Sequence, residues 1–271
     1  MIFDTHSQLT TKEAIAGIPT HLMAGYGDIF HDIAKSGLEG LIKDMDLAGV
    51  DKSVIVAIDA STTHRYAVTN DMVARAVAKY PDRLIGFASV DPHKGILASE
   101  EFEQAIKKKG LMGLKIVPNL IEMYTNDRRL YSLYEIAQSS KVPVLFHAGT
   151  LFYTGIRLKY GQPMNIDDVA VDFPQLKIII AHFGFPWFYE ALAVVQRNLN
   201  VYFNIAGWRP KYIPNDVIQY IKGPLESRVL FGSDYPLLSR LPLLNELKQL
   251  GLKDKTFKAM VEDNPARLLG Y

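Results

Sequence analysis

The chain of 271 residues contains no cysteine. Disulfide bonds and thiolate metal sites are therefore excluded, and any metal ion must be held by histidine, carboxylate, amide or water ligands. An excess of charge is also missing, because 30 lysines and arginines stand against 29 aspartates and glutamates, for a formal net charge of +1. Such a balance gives no reason to expect nucleic acid or a membrane surface as a partner.

Long apolar runs are missing as well. No stretch approaches the roughly 20 apolar residues that cross a bilayer, and the first residues lead into a predicted strand without a basic segment or an apolar leader. We therefore expect a cytoplasmic protein. Apolar residues are nevertheless abundant, at 48% of the chain, which is enough for a substantial core.

Strands and helices alternate along the chain. Eight apolar strands are predicted, and from the second onwards they recur about every 30 residues, the length of a βα unit. Strict alternation favours a parallel sheet with right-handed crossovers, and eight units favour an α/β fold, a single (β/α)8 TIM barrel with extra C-terminal helices. One domain over residues 1–271 is expected. An open doubly wound sheet is the alternative, and it is weakened because no Gly-x-Gly-x-x-Gly turn follows the first strand.

Polar side chains lie where the predicted strands end, which is where barrel enzymes have their active sites. Residues 145–149 and 180–184 share one pattern, an apolar run that closes on a histidine and a glycine. Burial of a lone imidazole costs free energy unless a group pairs with it, so both histidines are predicted to face a metal ion and its water. The polar residues at strand ends are His6, Gln8, Asp91, His93, Lys115, His147, His182 and Asp234.

Four of these residues offer the ligands that suit zinc or a similar divalent ion, namely His6, His147, His182 and Asp234. We expect one divalent ion, with Zn²⁺ as the first choice and Mn²⁺ or Fe²⁺ as the alternatives.

Several motifs together indicate a family. They are Asp4-Thr5-His6-Ser7-Gln8, the histidines that end strands five and six, Gly232-Ser233-Asp234-Tyr235-Pro236 and the closing Asn264-Pro265-Ala266-Arg267-Leu268-Leu269. With these motifs the whole chain resembles the amidohydrolase superfamily, in the amidohydrolase-related branch around aminocarboxymuconate-semialdehyde decarboxylase. The resemblance implies a metal-dependent TIM-barrel enzyme. It also implies that His6, His147 and Asp234 are metal ligands and that Asp234 and His182 are catalytic groups.

One position departs from the family pattern. The second histidine of the first-strand pair is here Gln8, whose neutral amide oxygen is a poorer zinc ligand than imidazole. Three interpretations stay open. Gln8 is a weak metal ligand or holds the metal-bound water, or His182 joins the ligands instead, or the chain has lost its metal and is a metal-free lactonase or a non-catalytic binding barrel.

The resemblance implies two reactions on the same site. The first is hydrolysis of a small carboxylated or cyclic substrate, a lactone or an amide, by a metal-activated water whose proton Asp234 accepts. The alternative is non-oxidative decarboxylation, in which a carboxy-lyase acts on an aromatic or unsaturated carboxylate. The expected partner is a small molecule, and a homodimer is an allowed assembly.

Substrate contacts are expected from the loops that follow the strands. Arg157 and Arg209 suit a substrate carboxylate because a guanidinium makes bidentate contacts. Trp187 could stack on a ring, and His93 is a further candidate. Lys115 has two interpretations, a carboxylated lysine that bridges two metals, as in binuclear members of the superfamily, or a charged group paired with a carboxylate in the barrel mouth.

Overall fold

The computed structural model describes residues 1–22, 27–151 and 153–271, and at positions 21 and 27–35 only the backbone is described. The parallel strands are β1 (Phe3–Gln8), β2 (Lys52–Val56), β3 (Leu84–Phe87), β4 (Leu114–Ile116), β5 (Val144–Phe146), β6 (Ile178–Ile180), β7 (Val201–Asn204) and β8 (Val229–Leu230). The α-helices are Lys12–Ala16, Gly27–Ala48 (interrupted at Gly37), Ser61–His64, Asn70–Lys79, Ile96–Lys107, Pro118–Ile121, Tyr131–Ser139, Asn165–Asp172, Phe188–Arg197, Asn215–Lys222, Arg240–Gln249, Asp254–Lys258 and Asn264–Leu269. None of the helices within these described ranges is long and apolar enough to cross a membrane.

The eight strands form a closed ring. Strands β1–β2–β3 make one sheet, and β4–β5–β6–β7–β8 make a second, with all neighbours parallel. Single bridges join the two sheets on both sides, between Ala88 and Leu114 and between Ser7 and Tyr235. The predicted TIM barrel is therefore confirmed, and the open sheet is not found.

Burial on both faces explains why the strands are apolar without a break. In β2, Val54 and Val56 belong to a buried cluster with residues of the other strands inside the barrel, whereas Ile55 packs in the larger cluster between strands and helices. Leu268 and Leu269 of the last helix join the inner cluster. Parallel sheets that helices cover are expected to read this way.

The segment after β2 differs from the prediction. The apolar run at residues 53–58 is predicted as a single second strand, but β2 ends at Val56, and Ile58–Ala60 pairs antiparallel with Tyr66–Val68 around the short helix Ser61–His64. Periodicity alone cannot separate two short apolar runs that follow one another. Three residues of this hairpin line the cavity described below.

A buried ion pair ties β1 to the segment after β8. Arg240 is fully buried, and its Nε donates to Oδ2 of Asp4 at 2.7 Å. The same carboxylate accepts the backbone N–H of Ser233 at 2.9 Å. Because His6 follows Asp4 by two residues and Asp234 follows Ser233 directly, these bonds fix the position of both segments that carry candidate site residues.

We predict that Arg240→Met lowers the free energy of unfolding by about 3–5 kcal/mol, because Asp4 then stays buried without its counter-charge. The matched control is Arg75→Met, which removes an ion pair with Glu13 in which both side chains are more than half exposed, and it should cost less than about 1 kcal/mol. Urea denaturation measures both values.

The double variant Asp4→Asn/Arg240→Met removes both charges and should recover part of the loss. A loss for Arg240→Met no larger than that for Arg75→Met would show that the buried pair does not hold the barrel together.

Candidate active site

Four side chains predicted at strand ends meet at the C-terminal mouth of the barrel. Donor atoms of His6, His182 and Asp234 lie within 4.8 Å of one another, and all three residues are buried. His147 lies beside them, with its ring centroid 4.5 Å from that of His182. Zinc holds nitrogen and oxygen ligands at about 2.0–2.2 Å, so small shifts of the first three side chains would seat one divalent ion.

Backbone carbonyls determine which nitrogen of two histidines is free. Nδ1 of His182 lies 2.9 Å from the carbonyl oxygen of Ala206, and Nε2 of His147 lies 3.0 Å from that of Thr150. Because a carbonyl oxygen only accepts, each of these nitrogens carries the proton, and the other nitrogen of each ring keeps its lone pair. In metal sites, the ring nitrogen that does not bind the metal commonly donates such a hydrogen bond, and the bond fixes the orientation of the imidazole. His182 can therefore bind a cation or accept a proton at Nε2, but it has no proton to donate there.

Lys115 and Gln8 both contact this group. Nζ of Lys115 donates to Nε2 of His6 at 3.3 Å, and Nε2 of Gln8 donates to Oδ1 of Asp234 at 2.8 Å. Nδ1 of His6 is buried and has no hydrogen-bond partner within the described part of the chain. The same residues supply no carboxylate oxygen within 4.0 Å of the Lys115 ammonium, so the close ion pair expected for this lysine is not formed.

Burial determines the charges of the site. It lowers the pKa of His6 and His147 well below 6.5, and together with the charge of Lys115 it lowers the pKa of His182 to about 3, so the three imidazoles are neutral at pH 7. Burial also lowers the pKa of Lys115 to about 7, although the negative charge of Asp234 acts to raise it. Burial raises the pKa of Asp234 to about 6, although the hydrogen bond from Gln8 and the charge of Lys115 act to lower it. A carboxyl group that titrates near neutrality is suited to proton transfer.

A cavity of about 110 Å³ lies beside this group, and its polar end is formed by Gln8, Lys115, His147, His182 and Asp234. His6 is not among the residues that line it. The rest of the lining is mainly apolar and comes from the hairpin and from the loops after several strands. The apolar lining residues are Leu9, Ala14, Ile15, Ile18, Ile58, Val68, Val117, Leu120, Leu151, Trp208, Pro236 and Leu237.

The two arginines predicted to bind substrate do not line this cavity. Arg157 donates to Glu122 at 2.9 Å, and Arg209 is paired with Glu246. The two arginine side chains are 61% and 44% exposed. The structure therefore places both guanidinium groups in surface ion pairs.

The other two predicted contacts also lie outside the cavity lining. Nε2 of His93 lies 2.8 Å from the carbonyl oxygen of Ile121, and Trp187 is partly buried at the start of the helix Phe188–Arg197. Trp208 is the tryptophan that lines the cavity.

Sequence reasoning missed Gly207, whose backbone lies close to two of the candidate groups. A Cβ atom at this position would lie 2.9 Å from Nδ1 of His182 and 3.1 Å from Oδ2 of Asp234. His182 and Asp234 themselves have φ angles of 57° and 58°. Such backbone conformations cost free energy in residues other than glycine, and they cluster at functional sites. The glycine after the seventh strand was visible in the sequence, but nothing there shows which side chains it faces.

Comparison with known proteins identifies the family. The amidohydrolase family model matches residues 4–271, so the chain belongs to the amidohydrolase family. A curated relative, the γ-resorcylate decarboxylase of Polaromonas sp. strain JS666, is 25% identical over an alignment 187 residues long, and the alignment covers 60% of this chain and 56% of the relative. The match therefore spans little more than half of the relative's length.

Two solved structures share the fold. A TIM-barrel protein of Bordetella bronchiseptica has a TM-score of 0.83 at 24% identity, over 99% of this chain and 98% of that chain. The 5-carboxyvanillate decarboxylase of Novosphingobium aromaticivorans, in complex with manganese and 4-hydroxy-3-methoxy-5-nitrobenzoic acid, has a TM-score of 0.77 at 18% identity, over 100% of this chain and 96% of that chain. These likenesses support the TIM barrel.

We predict that Gly207→Ala costs about 1–3 kcal/mol more than Gly155→Ala, because the new methyl group overpacks against His182 and Asp234. Gly155 is the matched control, since its φ of 75° is close to the 77° of Gly207 but a Cβ there meets nothing within 4 Å. Urea denaturation of both variants separates the contact from the backbone strain that they share. Equal losses would mean that the close approach of His182 and Asp234 does not require glycine at position 207.

Proposed function

We propose that the protein is a metal-dependent carboxy-lyase that removes CO₂ from a small aromatic or unsaturated carboxylate. The observation that carries the proposal is the cluster of His6, His182 and Asp234, whose donor atoms lie within 4.8 Å of one another. His182 and Asp234 also line the polar end of a largely apolar cavity. Membership of the amidohydrolase family fits both a hydrolase and a lyase. The similarity to a γ-resorcylate decarboxylase supports the lyase.

One divalent ion is part of the proposal, and the residues present fit it. His6, His182 and Asp234 would hold the ion, with His147 or Gln8 as a further ligand, because two imidazole nitrogens and a carboxylate oxygen that lie this close together suit a divalent ion. When bound, the ion supplies positive charge that holds the substrate carboxylate and a neighbouring oxygen. Mn²⁺ is a candidate beside Zn²⁺ and Fe²⁺, since a structural neighbour contains manganese.

Asp234 is proposed as the acid. Asp234 is buried and lines the polar end of the cavity, where a protonated carboxyl group can deliver its proton to a bound substrate. The proton bonds to the ring carbon that bears the carboxylate, and the bond between that carbon and the carboxylate then breaks. Its electron pair restores the ring, CO₂ leaves, and Asp234 regains a proton from solvent.

The other residues bind and orient. His182 offers a lone pair at Nε2 and no proton there, so it is proposed as a ligand rather than as the acid. The buried imidazoles are neutral and add no positive charge of their own.

We predict CO₂ release from 2,6-dihydroxybenzoate or a related 2-hydroxybenzoate by protein loaded with Mn²⁺ or Zn²⁺. Asp234→Asn should lower kcat by a factor of about 10²–10⁴, the usual contribution of a positioned acid. Asp263→Asn, at an exposed surface ion pair with Lys258, is the control and should leave kcat within about twofold. Released CO₂ is measured by mass spectrometry.

Acid release from lactones or amides, with no CO₂ from any hydroxybenzoate, would contradict the lyase and favour the hydrolase. Unchanged turnover in Asp234→Asn would remove Asp234 from the mechanism.

A further inference from the structure

Charge is confined to one end of the cavity. Among the described residues that line it, the charged side chains are Lys115 and Asp234, and both belong to the polar end. Of the remaining polar groups in the lining, the hydroxyls of Tyr66 and Tyr153 stay neutral, because burial raises the pKa of Tyr66 well above 10 and that of Tyr153 to about 12. The walls away from the cluster therefore offer no cation among these residues.

The arginines that could have supplied a second cation are used elsewhere. Arg157 and Arg209 are paired with Glu122 and Glu246 outside the cavity lining. A carboxylate that enters an apolar wall without a counter-charge costs several kcal/mol after relaxation. A ligand with a second carboxylate would therefore bury it unpaired.

The polar end, in contrast, is prepared for one anion. The Lys115 ammonium is buried, lines the cavity and has its hydrogen bond with the neutral His6. A buried ammonium without a close carboxylate is stabilised by an anionic ligand that reaches it. A single carboxylate at this end would meet that need.

The size of the cavity limits the rest of the ligand. Its volume is about 110 Å³, and an apolar protein cavity of about 150 Å³ stays dry and binds benzene. The body of the ligand is then about one ring, with apolar edges toward residues such as Val68, Leu120 and Leu151.

We propose that the ligand of this site is a monocarboxylate with an apolar body of about one ring, and that Lys115 contributes to the recognition of its carboxylate. The ligand class is inferred from the cavity and its charges, and only the conversion of that ligand to CO₂ and product rests on the proposed function. It separates this chain from the neighbour that acts on 5-carboxyvanillate, a compound with two carboxylates.

Binding of matched ligands to the protein, purified without chelator, tests the inference. Isothermal titration calorimetry compares 3-methylbenzoate with benzene-1,3-dicarboxylate, and 4-methylbenzoate with benzene-1,4-dicarboxylate. We expect at least one methyl compound to bind at least about a hundredfold more tightly than its dicarboxylate partner, because the second carboxylate is buried unpaired. Dicarboxylates that bind as tightly as the methyl compounds, or no binding of either methyl compound at millimolar concentration, would overturn the proposal.

Two lysine variants test the wall directly. Leu151→Lys puts a cation into the lining and should tighten dicarboxylate binding at least about tenfold while it weakens the methyl compounds. Leu158→Lys is the control, since Leu158 is 45% exposed and is not among the lining residues, and it should change neither by more than about twofold. The wild-type comparison decides the proposal if Leu151→Lys does not fold, and equal effects of the two variants would contradict it.

The ligands are chosen so that binding is read apart from turnover. None of the four has the hydroxyl group beside the carboxylate that makes hydroxybenzoates reactive. Tight binding of a methyl compound without CO₂ release from any hydroxybenzoate would leave the ligand class standing and remove the lyase. CO₂ release from a hydroxybenzoate, together with equal binding of the methylbenzoates and the dicarboxylates, would support the lyase and overturn the ligand class.

Discussion

The carboxylate of Asp4 is the constraint on which the site depends. It accepts hydrogen bonds from buried Arg240 and from the backbone of Ser233, and so it joins the first strand of the barrel to the segment after the last. Backbone bonds between the same segments, including Asp234 N–H to the carbonyl of His6 at 2.8 Å, complete the junction. A barrel that opened here would separate His6 from Asp234. The contacts that close the barrel therefore also bring His6 and Asp234 together.

The charges at the mouth explain why an anion belongs there. A divalent ion held by His6, His182 and Asp234 would lie near the ammonium of Lys115, which is 3.3 Å from Nε2 of His6. Two cations at such close range repel strongly where water is excluded. Asp234 offsets part of this repulsion, and an anionic substrate offsets more. The proposed carboxylate ligand thus brings the site closer to neutrality, whereas a neutral lactone would not.

The sequence predicted the barrel and the meeting of four strand-end residues because both follow from simple regularities. Apolar runs at a regular spacing indicated parallel strands, and polar residues at their ends had to share one edge of the ring, which is how His6, His147, His182 and Asp234 come together. The loops could not be assigned in this way. Arg157 and Arg209 have the right chemistry for a substrate carboxylate, but their partners, Glu122 and Glu246, lie 35 and 37 residues away in the chain. Only the folded loops reveal these pairs. The hairpin that forms one wall was hidden for a related reason, since its short strands read as a continuation of β2.

The metal content of the protein tests the central claim most directly. Elemental analysis of protein purified without chelator and without added metal should find about one zinc, manganese or iron ion per chain. This result would mean that the chain binds a metal ion although Gln8 stands where the family resemblance predicts a second histidine. The absence of bound metal, even after incubation with excess Zn²⁺ or Mn²⁺, would contradict the claim, and the metal-dependent lyase would have to be withdrawn.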